Sequence, residues 1–130
     1  KMHYLDAFTI ETHNNLEFYQ RLAQIHLELS AYLDLHQPDE VVMEKLYFTK
    51  NVTTAIDVAE ACGVIGLLVS MRGIPLKKIT PTQMKMALTG NGKSSKKDVQ
   101  MMVERILQNT PDFKNILDDA VDGLAMAMAL

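Results

Sequence analysis

The chain has little of what stabilises secreted proteins or anchors membrane proteins. Its 130 residues include no tryptophan and a single cysteine, Cys62, so an internal disulfide is excluded. Cys62 lies in an apolar helical pattern with no nucleophile context around it, and we interpret it as a packing residue. No uninterrupted apolar run approaches the roughly eighteen residues that cross a bilayer, and no secretory signal is visible. We therefore expect a cytoplasmic protein with no membrane partner.

Acidic residues are absent from one long stretch of the chain. The formal net charge of −3 by itself argues against a nucleic-acid partner. However, residues 72–97 carry seven cations and no acid, whereas residues 1–71 carry ten acids and residues 98–130 carry six. A positive block inside an acidic chain can attract a polyanion, although such a run is equally typical of a solvated surface. The seven cations are Arg72, Lys77, Lys78, Lys85, Lys93, Lys96 and Lys97.

The order of the predicted elements indicates an α/β fold. Residues 3–12 partly alternate aromatic and β-branched side chains, which is typical of a strand. Helices are predicted where apolar residues recur at helical spacing between capping and breaking residues. Strands that alternate with helices pair in parallel in layered sheets, so we expect one α/β domain. After the first strand, the predicted elements are a helix from Asn14 or Asn15 to about residue 35, a strand over 40–46, a helix over 51–71, a short strand within 75–80, a helix over 81–88, a loop over 89–97, a helix capped by Ser94 or Ser95, and a last helix from near Leu117.

Three acids are predicted near the end of a strand or the start of a helix. Glu44 lies late in the apolar run "VVMEKLYF", where an unpaired carboxylate is costly to bury. Asp119 and Asp122 are three apart and share one helical face. A helix start also favours acids as caps, and an exposed strand edge would equally accommodate Glu44, so the pattern leaves both interpretations open. If the three carboxylates converge, they form a site for Mg²⁺, which can activate water for phosphodiester hydrolysis.

Four segments of the chain carry a family resemblance: "MEKLYFTKN", "TTAIDVAEACGVIGLLVSM", "ITPTQMKMALTGNGKSSKKDVQMMVERIL" and "DDAVDGLAMAMA". Together, and in this order, they resemble the RuvC family of Holliday-junction resolvases. The resemblance implies a ribonuclease H-like fold, a mixed sheet flanked by helices, in a homodimer. It also implies a Mg²⁺-dependent bacterial cytoplasmic endonuclease, with Mn²⁺ as a substitute, that nicks four-way DNA junctions symmetrically in recombination and repair. A branch-migration helicase working alongside the enzyme is implied as well.

The resemblance also assigns the chemistry of the site to individual residues. Glu44, Asp119 and Asp122 match three of the family's four metal-binding carboxylates. Asp118 stands outside the D-A-x-D pattern, and we interpret it as a capping or supporting acid. The remaining catalytic assignments are Lys85 and Lys96, which match basic positions that family members use near the scissile strand.

A second set of residues is predicted to contact the junction. Tyr47 stands where the family carries a phenylalanine that stacks on bases at the junction centre, and a tyrosine ring keeps that capacity. Phe48 beside it is the competing stacking residue. Lys50 and Asn51 match the family's Lys-Asn pair. Charge alone adds Lys93 and Lys97 to the DNA-binding residues, which also include Lys85 and Lys96.

The chain departs from the family pattern at its start. RuvC proteins carry their fourth carboxylate on a first strand with an Asp-Pro-Gly motif, and this chain begins past that strand. Asp6 is no substitute, because it lies on a different predicted strand and lacks the following Pro-Gly. We therefore expect residues 1–130 to be a single, N-terminally incomplete nuclease domain. We expect cleavage from the protein that carries the first strand and doubt it for these 130 residues alone.

Two further questions stay open at the level of sequence. The helix over 51–71 is apolar over more than one face, which is typical of a core helix or of half a dimer interface, and the resemblance favours the interface. The function has two alternatives to the resolvase. One is a catalytically silent dimeric module that binds junction DNA, and the other is a ribonuclease H-like nuclease with a different substrate.

Overall fold

A computed structural model of the chain describes residues 2–45, 52–109, 111–116 and 118–130. The chain divides into two compact units, one formed by Lys1–Thr9, Val42–Lys45 and Lys78–Leu130 and the other by Ile10–Val41 and Leu46–Lys77. The elements are α1 Phe18–His36, β1 Val41–Glu44, α2 Val52–Met71, β2 Leu76–Ile79, α3 Pro81–Thr89, α4 Lys96–Ile106, a 3₁₀ turn Phe113–Asn115 and α5 Asp118–Met128.

The two strands pair with each other, as predicted. The amide of Val41 donates to the carbonyl of Pro75 at 2.9 Å, and the amide of Lys45 donates to the carbonyl of Ile79 at 2.7 Å. Because both partners advance in the same direction along the chain, the strands are parallel. Strands and helices therefore alternate, as an α/β fold requires. The two strands cover residues 41–44 and 76–79 and are shorter than the stretches predicted for them.

In the unit that contains α1 and α2, these two helices pack on each other. Leu33, Leu68 and Val69 are its buried residues. The guanidinium of Arg72 donates to both carboxylate oxygens of Asp34, at 2.9 and 3.3 Å, so it joins the ends of the two helices. This hydrogen bond lowers the pKa of the Asp34 carboxyl.

Helix α2 is long and apolar enough, by length and composition alone, to cross a membrane. The 19 residues Thr53–Met71 have a mean hydropathy of 1.6, although Asp57 and Glu60 interrupt the apolar run. A core helix of a soluble protein can have the same length and hydropathy, but only 11% of the stretch Thr53–Met71 is buried. The structure therefore leaves most of the helix without a covering partner within the part of the chain that it describes.

Three helices form the core of the unit that contains α3, α4 and α5. Val103 is fully buried at its centre, and Ile79, Met84, Val99 and Met126 pack around it. Ile79 comes from the end of β2, and the other three are apolar positions on the helices, whose burial follows the predicted amphipathic patterns.

Capping residues set where α3 and α4 begin. The Thr80 hydroxyl accepts from the amide of Gln83 at 3.0 Å, and the Gln83 side chain accepts from the amide of Thr80 at 2.8 Å. Ser95 and Asp98 make the same reciprocal pair at the start of α4, at 3.1 Å each. The hydrogen bonds from Ser95 lower the pKa of the Asp98 carboxyl. The predicted starts of both helices are confirmed.

The prediction of a strand over residues 3–12 is wrong. Met2 forms an isolated parallel bridge with Leu107, and residues 3–12 have no regular structure. The side chain of Asn109 pairs with both backbone groups of Tyr4, accepting from its amide and donating to its carbonyl, each at 2.7 Å. Alternating side chains suit a strand, but a strand also needs a neighbouring backbone to satisfy its amides and carbonyls. Here side-chain amides take that role at single residues: Asn109 pairs with Tyr4, and Gln24 donates to the carbonyl of Glu11 at 2.9 Å.

The predicted helix boundaries also shift by a few residues. Helix α1 begins at Phe18 after a Glu17 cap rather than at Asn14 or Asn15. Helix α4, which the sequence predicts to continue to residue 109, ends at Ile106, because Leu107 turns to extended backbone. Such shifts at helix ends are expected, because the last turn has few internal hydrogen bonds.

We expect Thr80→Ala to lower the free energy of unfolding by about 1 kcal/mol, because it removes the side-chain acceptor at the start of α3. Thr80→Ser keeps a hydroxyl at this position and should retain most of the stability. Urea unfolding followed by circular dichroism measures both variants. Equal midpoints for Thr80→Ala and the unchanged protein would show that the cap does not stabilise the helix.

Candidate functional site

A cavity of about 240 Å³ collects four of the eight charged residues that the sequence predicts to be functional. It lies within the unit that contains α3, α4 and α5, and buried apolar side chains of these helices form part of its wall. Its polar lining consists of three carboxylates, two ammonium groups and one amide. The polar residues that line it are Glu44, Lys85, Lys96, Gln100, Asp118 and Asp122.

Each of these side chains is positioned by the end of a strand or by one face of a helix. Glu44 is the last residue of β1. Lys85 lies in α3, one position after the buried Met84. Lys96 is the first residue of α4, and Gln100 follows one turn later on the same face. The buried Val99 and Met126 hold α4 and α5 against this core, so the first turns of both helices border one space.

The structure groups most of the predicted catalytic residues and separates one. Glu44, Lys85, Lys96 and Asp122 all line the cavity. Asp119 is exposed and is not one of the lining residues, whereas its neighbour Asp118 is. Residues 118 and 122 are one helical turn apart, so the face of α5 that turns toward the cavity carries this pair. The ligand role of Asp119 stays a prediction from the D-A-x-D pattern.

The carboxylates fit a hard divalent cation by chemistry, because Mg²⁺ and Mn²⁺ take oxygen ligands from Asp and Glu. In the structure, however, these carboxylates do not converge on one point. Within the described ranges, no three His, Cys, Asp or Glu side chains are grouped closely enough to hold a metal ion. The cavity therefore has the donor atoms of a metal site without the geometry of a closed one.

One ion pair crosses the cavity. The ammonium of Lys96 lies 3.6 Å from a carboxylate oxygen of Asp122, with the two side chains 74% and 49% exposed. At such exposure, water competes for both charges, and pairs of this kind contribute between about 0 and 1 kcal/mol. Breaking this ion pair so that Lys96 binds a phosphate therefore costs little free energy.

The predicted DNA-binding residues are only partly within the described residues. Lys93 and Lys97 are exposed on either side of the start of α4. The loop that carries Lys93 packs closely, since a side chain at Gly92 would meet the Thr82 methyl at 2.8 Å. Tyr47, Phe48, Lys50 and Asn51 lie outside the described residues.

Sequence reasoning missed Gln100 and gave Asp118 only a supporting role. Helical spacing is the signal that finds both. Gln100 stands four residues after Lys96, and Asp118 stands four residues before Asp122, so each shares a face with a predicted site residue. The pattern of acids alone favoured Asp119, because it did not reveal which side of α5 packs on the core.

We expect Lys96→Met to change the free energy of unfolding by less than about 1 kcal/mol, because the Lys96–Asp122 pair is exposed. The measurement is urea unfolding at low and at high salt. A loss well above this value would show that the ion pair holds α4 to α5, and functional effects of the variant would then have a structural cause.

Comparisons with known proteins agree on one family. The sequence model of the family described as crossover junction endodeoxyribonuclease RuvC matches residues 1–130. The RuvC of Pseudothermotoga lettingae is 47% identical over 119 residues, spanning 92% of this chain and 72% of the relative. The RuvC of Thermotoga maritima is 45% identical over 119 residues, spanning 92% of this chain and 70% of the relative.

Two solved structures have the same fold. Thermus thermophilus RuvC superimposes with a TM-score of 0.84 at 26% identity, covering 98% of this chain and 75% of that one. The T. thermophilus RuvC in complex with a Holliday junction substrate gives a TM-score of 0.89 at 26% identity, covering 98% and 76%. The predicted ribonuclease H-like α/β class is confirmed by these matches.

Proposed function

The chain belongs to the RuvC family of crossover junction endodeoxyribonucleases, and we propose that it resolves four-way DNA junctions by paired symmetrical nicks. Members of this family hydrolyse phosphodiester bonds of DNA with the help of a metal. The observation that carries the proposal is the cavity in which Glu44 and Asp122 face Lys85 and Lys96. Carboxylates for a cation and ammonium groups for a phosphate are the two parts that phosphodiester hydrolysis needs.

Glu44, Asp119 and Asp122 would hold Mg²⁺, with Mn²⁺ as a substitute. When bound, the cation activates a water molecule and offsets charge on the leaving oxygen. Glu44 is fixed at the end of a hydrogen-bonded strand, and Asp122 is fixed by a helix whose buried residues pack on the core. Because the backbone at both acids is held in place, only a small movement is needed to bring the two carboxylates to one metal ion.

Lys85 and Lys96 would bind oxygens of the scissile phosphate. Their ammonium groups offset the repulsion between a polyanion and the carboxylates of the cavity. Because they lie on α3 and α4, one phosphate entering the cavity meets cations from two sides.

The remaining predicted contacts extend this site along the DNA. Lys93 and Lys97 are exposed next to Lys96 and would bind phosphates outside the cavity. Tyr47, with Phe48 as the competing residue, would stack on a base at the junction centre. Lys50 and Asn51 complete the proposed DNA-binding residues through their match to the family's Lys-Asn pair.

We also propose that residues 1–130 act as one nuclease domain and that two copies associate through α2. Ile56 and Leu67 are 54% and 60% exposed on this helix, and a side chain at Gly63 would meet nothing within 4 Å. An apolar face with small residues suits close contact with an identical helix, and a two-fold dimer matches the symmetry of paired nicks. The bacterial cytoplasm as the location and a helicase partner follow from the family resemblance.

One observation favours a second candidate, a dimeric module that binds junctions without cutting them. No three carboxylates come together as a metal site within the part of the chain that the structure describes. This candidate predicts salt-sensitive junction binding with no products that depend on Mg²⁺.

In the protein that carries the family's first strand, we expect Glu44→Gln to abolish Mg²⁺-dependent cleavage of an immobile, end-labelled four-way junction and to leave junction binding largely intact. The amide has the size of the carboxylate but lacks the charge that a cation requires. Gel separation of the labelled strands measures cleavage, and an electrophoretic shift measures binding.

Glu40→Gln is the matched control, because Glu40 is exposed and lies outside the cavity. Junctions with several core sequences should be included, since a selective enzyme ignores some of them. Cleavage retained by Glu44→Gln would contradict its metal-binding role. Junctions that are shifted but left intact even by the protein that carries the first strand would support the non-cutting module instead.

The choice between the two neighbouring acids is tested by Asp118→Asn and Asp119→Asn. We expect Asp119→Asn to lose cleavage as Asp122→Asn does, because Asp119 matches the D-A-x-D pattern, and Asp118→Asn to keep most of it. The same gel assay reports both variants. The reverse order of effects would mean that the cavity-lining Asp118 is the ligand.

A further inference from the structure

Gln100 is the one uncharged polar residue of the cavity lining among the residues that the structure describes, and the proposed function does not use it. We propose that its side-chain amide binds a phosphate oxygen of the DNA strand next to the scissile phosphate. This inference rests on the proposed function, because it needs DNA to enter the cavity. It adds an uncharged contact to a site whose other polar groups are all ionisable.

The position of Gln100 on α4 is the first observation that supports this contact. Lys96 lies four residues earlier on the same helical face, and both side chains line the same cavity. Gln100 is exposed, so a ligand reaches it without displacing packed side chains. A strand whose phosphate meets Lys96 therefore passes within reach of the next turn of α4, where Gln100 stands.

The side chain of Gln100 is held by its own helix. Its Nε2 donates to Oε1 of Glu104 at 3.3 Å, one further turn along α4. An amide nitrogen carries two hydrogens, so one N–H remains for an acceptor on a ligand. Because Glu104 reduces the number of rotamers that Gln100 adopts, less side-chain entropy is lost when DNA binds.

The charges of the cavity explain why an uncharged donor is useful there. Three carboxylates face two ammonium groups, so acids are in excess, and one ammonium already lies 3.6 Å from the carboxylate of Asp122. Each N–H donor that binds a phosphate next to these acids offsets part of the electrostatic repulsion between them. An amide donates without competing for the carboxylates as a third ammonium group would.

The test compares Gln100→Met with the unchanged chain in binding to a fluorescent four-way junction, in EDTA so that no strand is cut. Methionine keeps the length of the side chain and a good helix propensity but has no N–H donor. We expect affinity to fall about five- to tenfold, the effect of losing one ordinary hydrogen bond at an exposed position. The loss should be the same for junctions of different core sequence, because phosphates carry no sequence information.

Salt dependence separates this contact from the ionic ones. Lys85→Ala and Lys96→Ala should each reduce the slope of log affinity against log salt by about one, whereas Gln100→Met should leave the slope unchanged. Gln24→Met is the control for loss of a helix-surface amide, because the Nε2 of Gln24 donates to Glu28 on α1 at 2.8 Å, and also to the carbonyl of Glu11 at 2.9 Å, outside the cavity. It should bind junctions like the unchanged chain.

A second comparison tests the role of Glu104 in positioning the amide. Glu104→Gln and Glu104→Met remove the same charge, but only the glutamine keeps an acceptor for Gln100. We expect Glu104→Met to bind more weakly than Glu104→Gln, and this difference should disappear when Gln100 is also methionine.

The outcomes distinguish the inference from the function on which it rests. If the unchanged chain binds no junction, the proposed function is overturned and this inference with it. If the unchanged chain binds while Gln100→Met binds equally well, only the inference is overturned. A loss that depends on core sequence, or one that lowers the salt slope, overturns the phosphate contact as well. A uniform loss at constant slope supports it.

Discussion

The packing of three short helices around Val103 is the constraint on which the candidate site depends. Val103 is fully buried, and Met84, Val99 and Met126 surround it from α3, α4 and α5. Each helix presents its apolar face to this core, so the residues beside that face are directed into the adjoining cavity. Side chains that are far apart in the sequence line one space because their neighbours are buried together.

This arrangement concentrates opposite charges. Carboxylates from β1 and α5 meet ammonium groups from α3 and α4 around a cavity of about 240 Å³. The carboxylates at such a site repel each other and would repel a polyanion, and the two lysines offset part of that negative charge. The ion pair between Lys96 and Asp122 is exposed and weak, which leaves both groups free to change partners.

The unit that contains α1 and α2 has a different character. Its core is small, with Leu33, Leu68 and Val69 buried, and the ends of its helices are joined by Arg72 and Asp34. Much of α2 is apolar yet exposed. Burying such an apolar surface lowers the free energy of the protein, and in the proposed dimer a second copy of the chain would cover it.

The sequence by itself determined the family, the α/β order of the elements, the starts of α3 and α4, and four residues of the cavity lining: Glu44, Lys85, Lys96 and Asp122. These features depend on local chemistry: caps, apolar spacing and a motif that stays intact in the chain. Tertiary structure decided the rest. Residues 3–12 have strand-like side chains but lie without a strand neighbour, and the Asn109 side chain pairs with Tyr4 instead. The rotation of α5 against its core decides that Asp118, and not Asp119, lines the cavity. Gln100 is a candidate because the same packing brings its face of α4 beside the acids. Contacts between distant segments set these positions, and a local pattern contains no information about them.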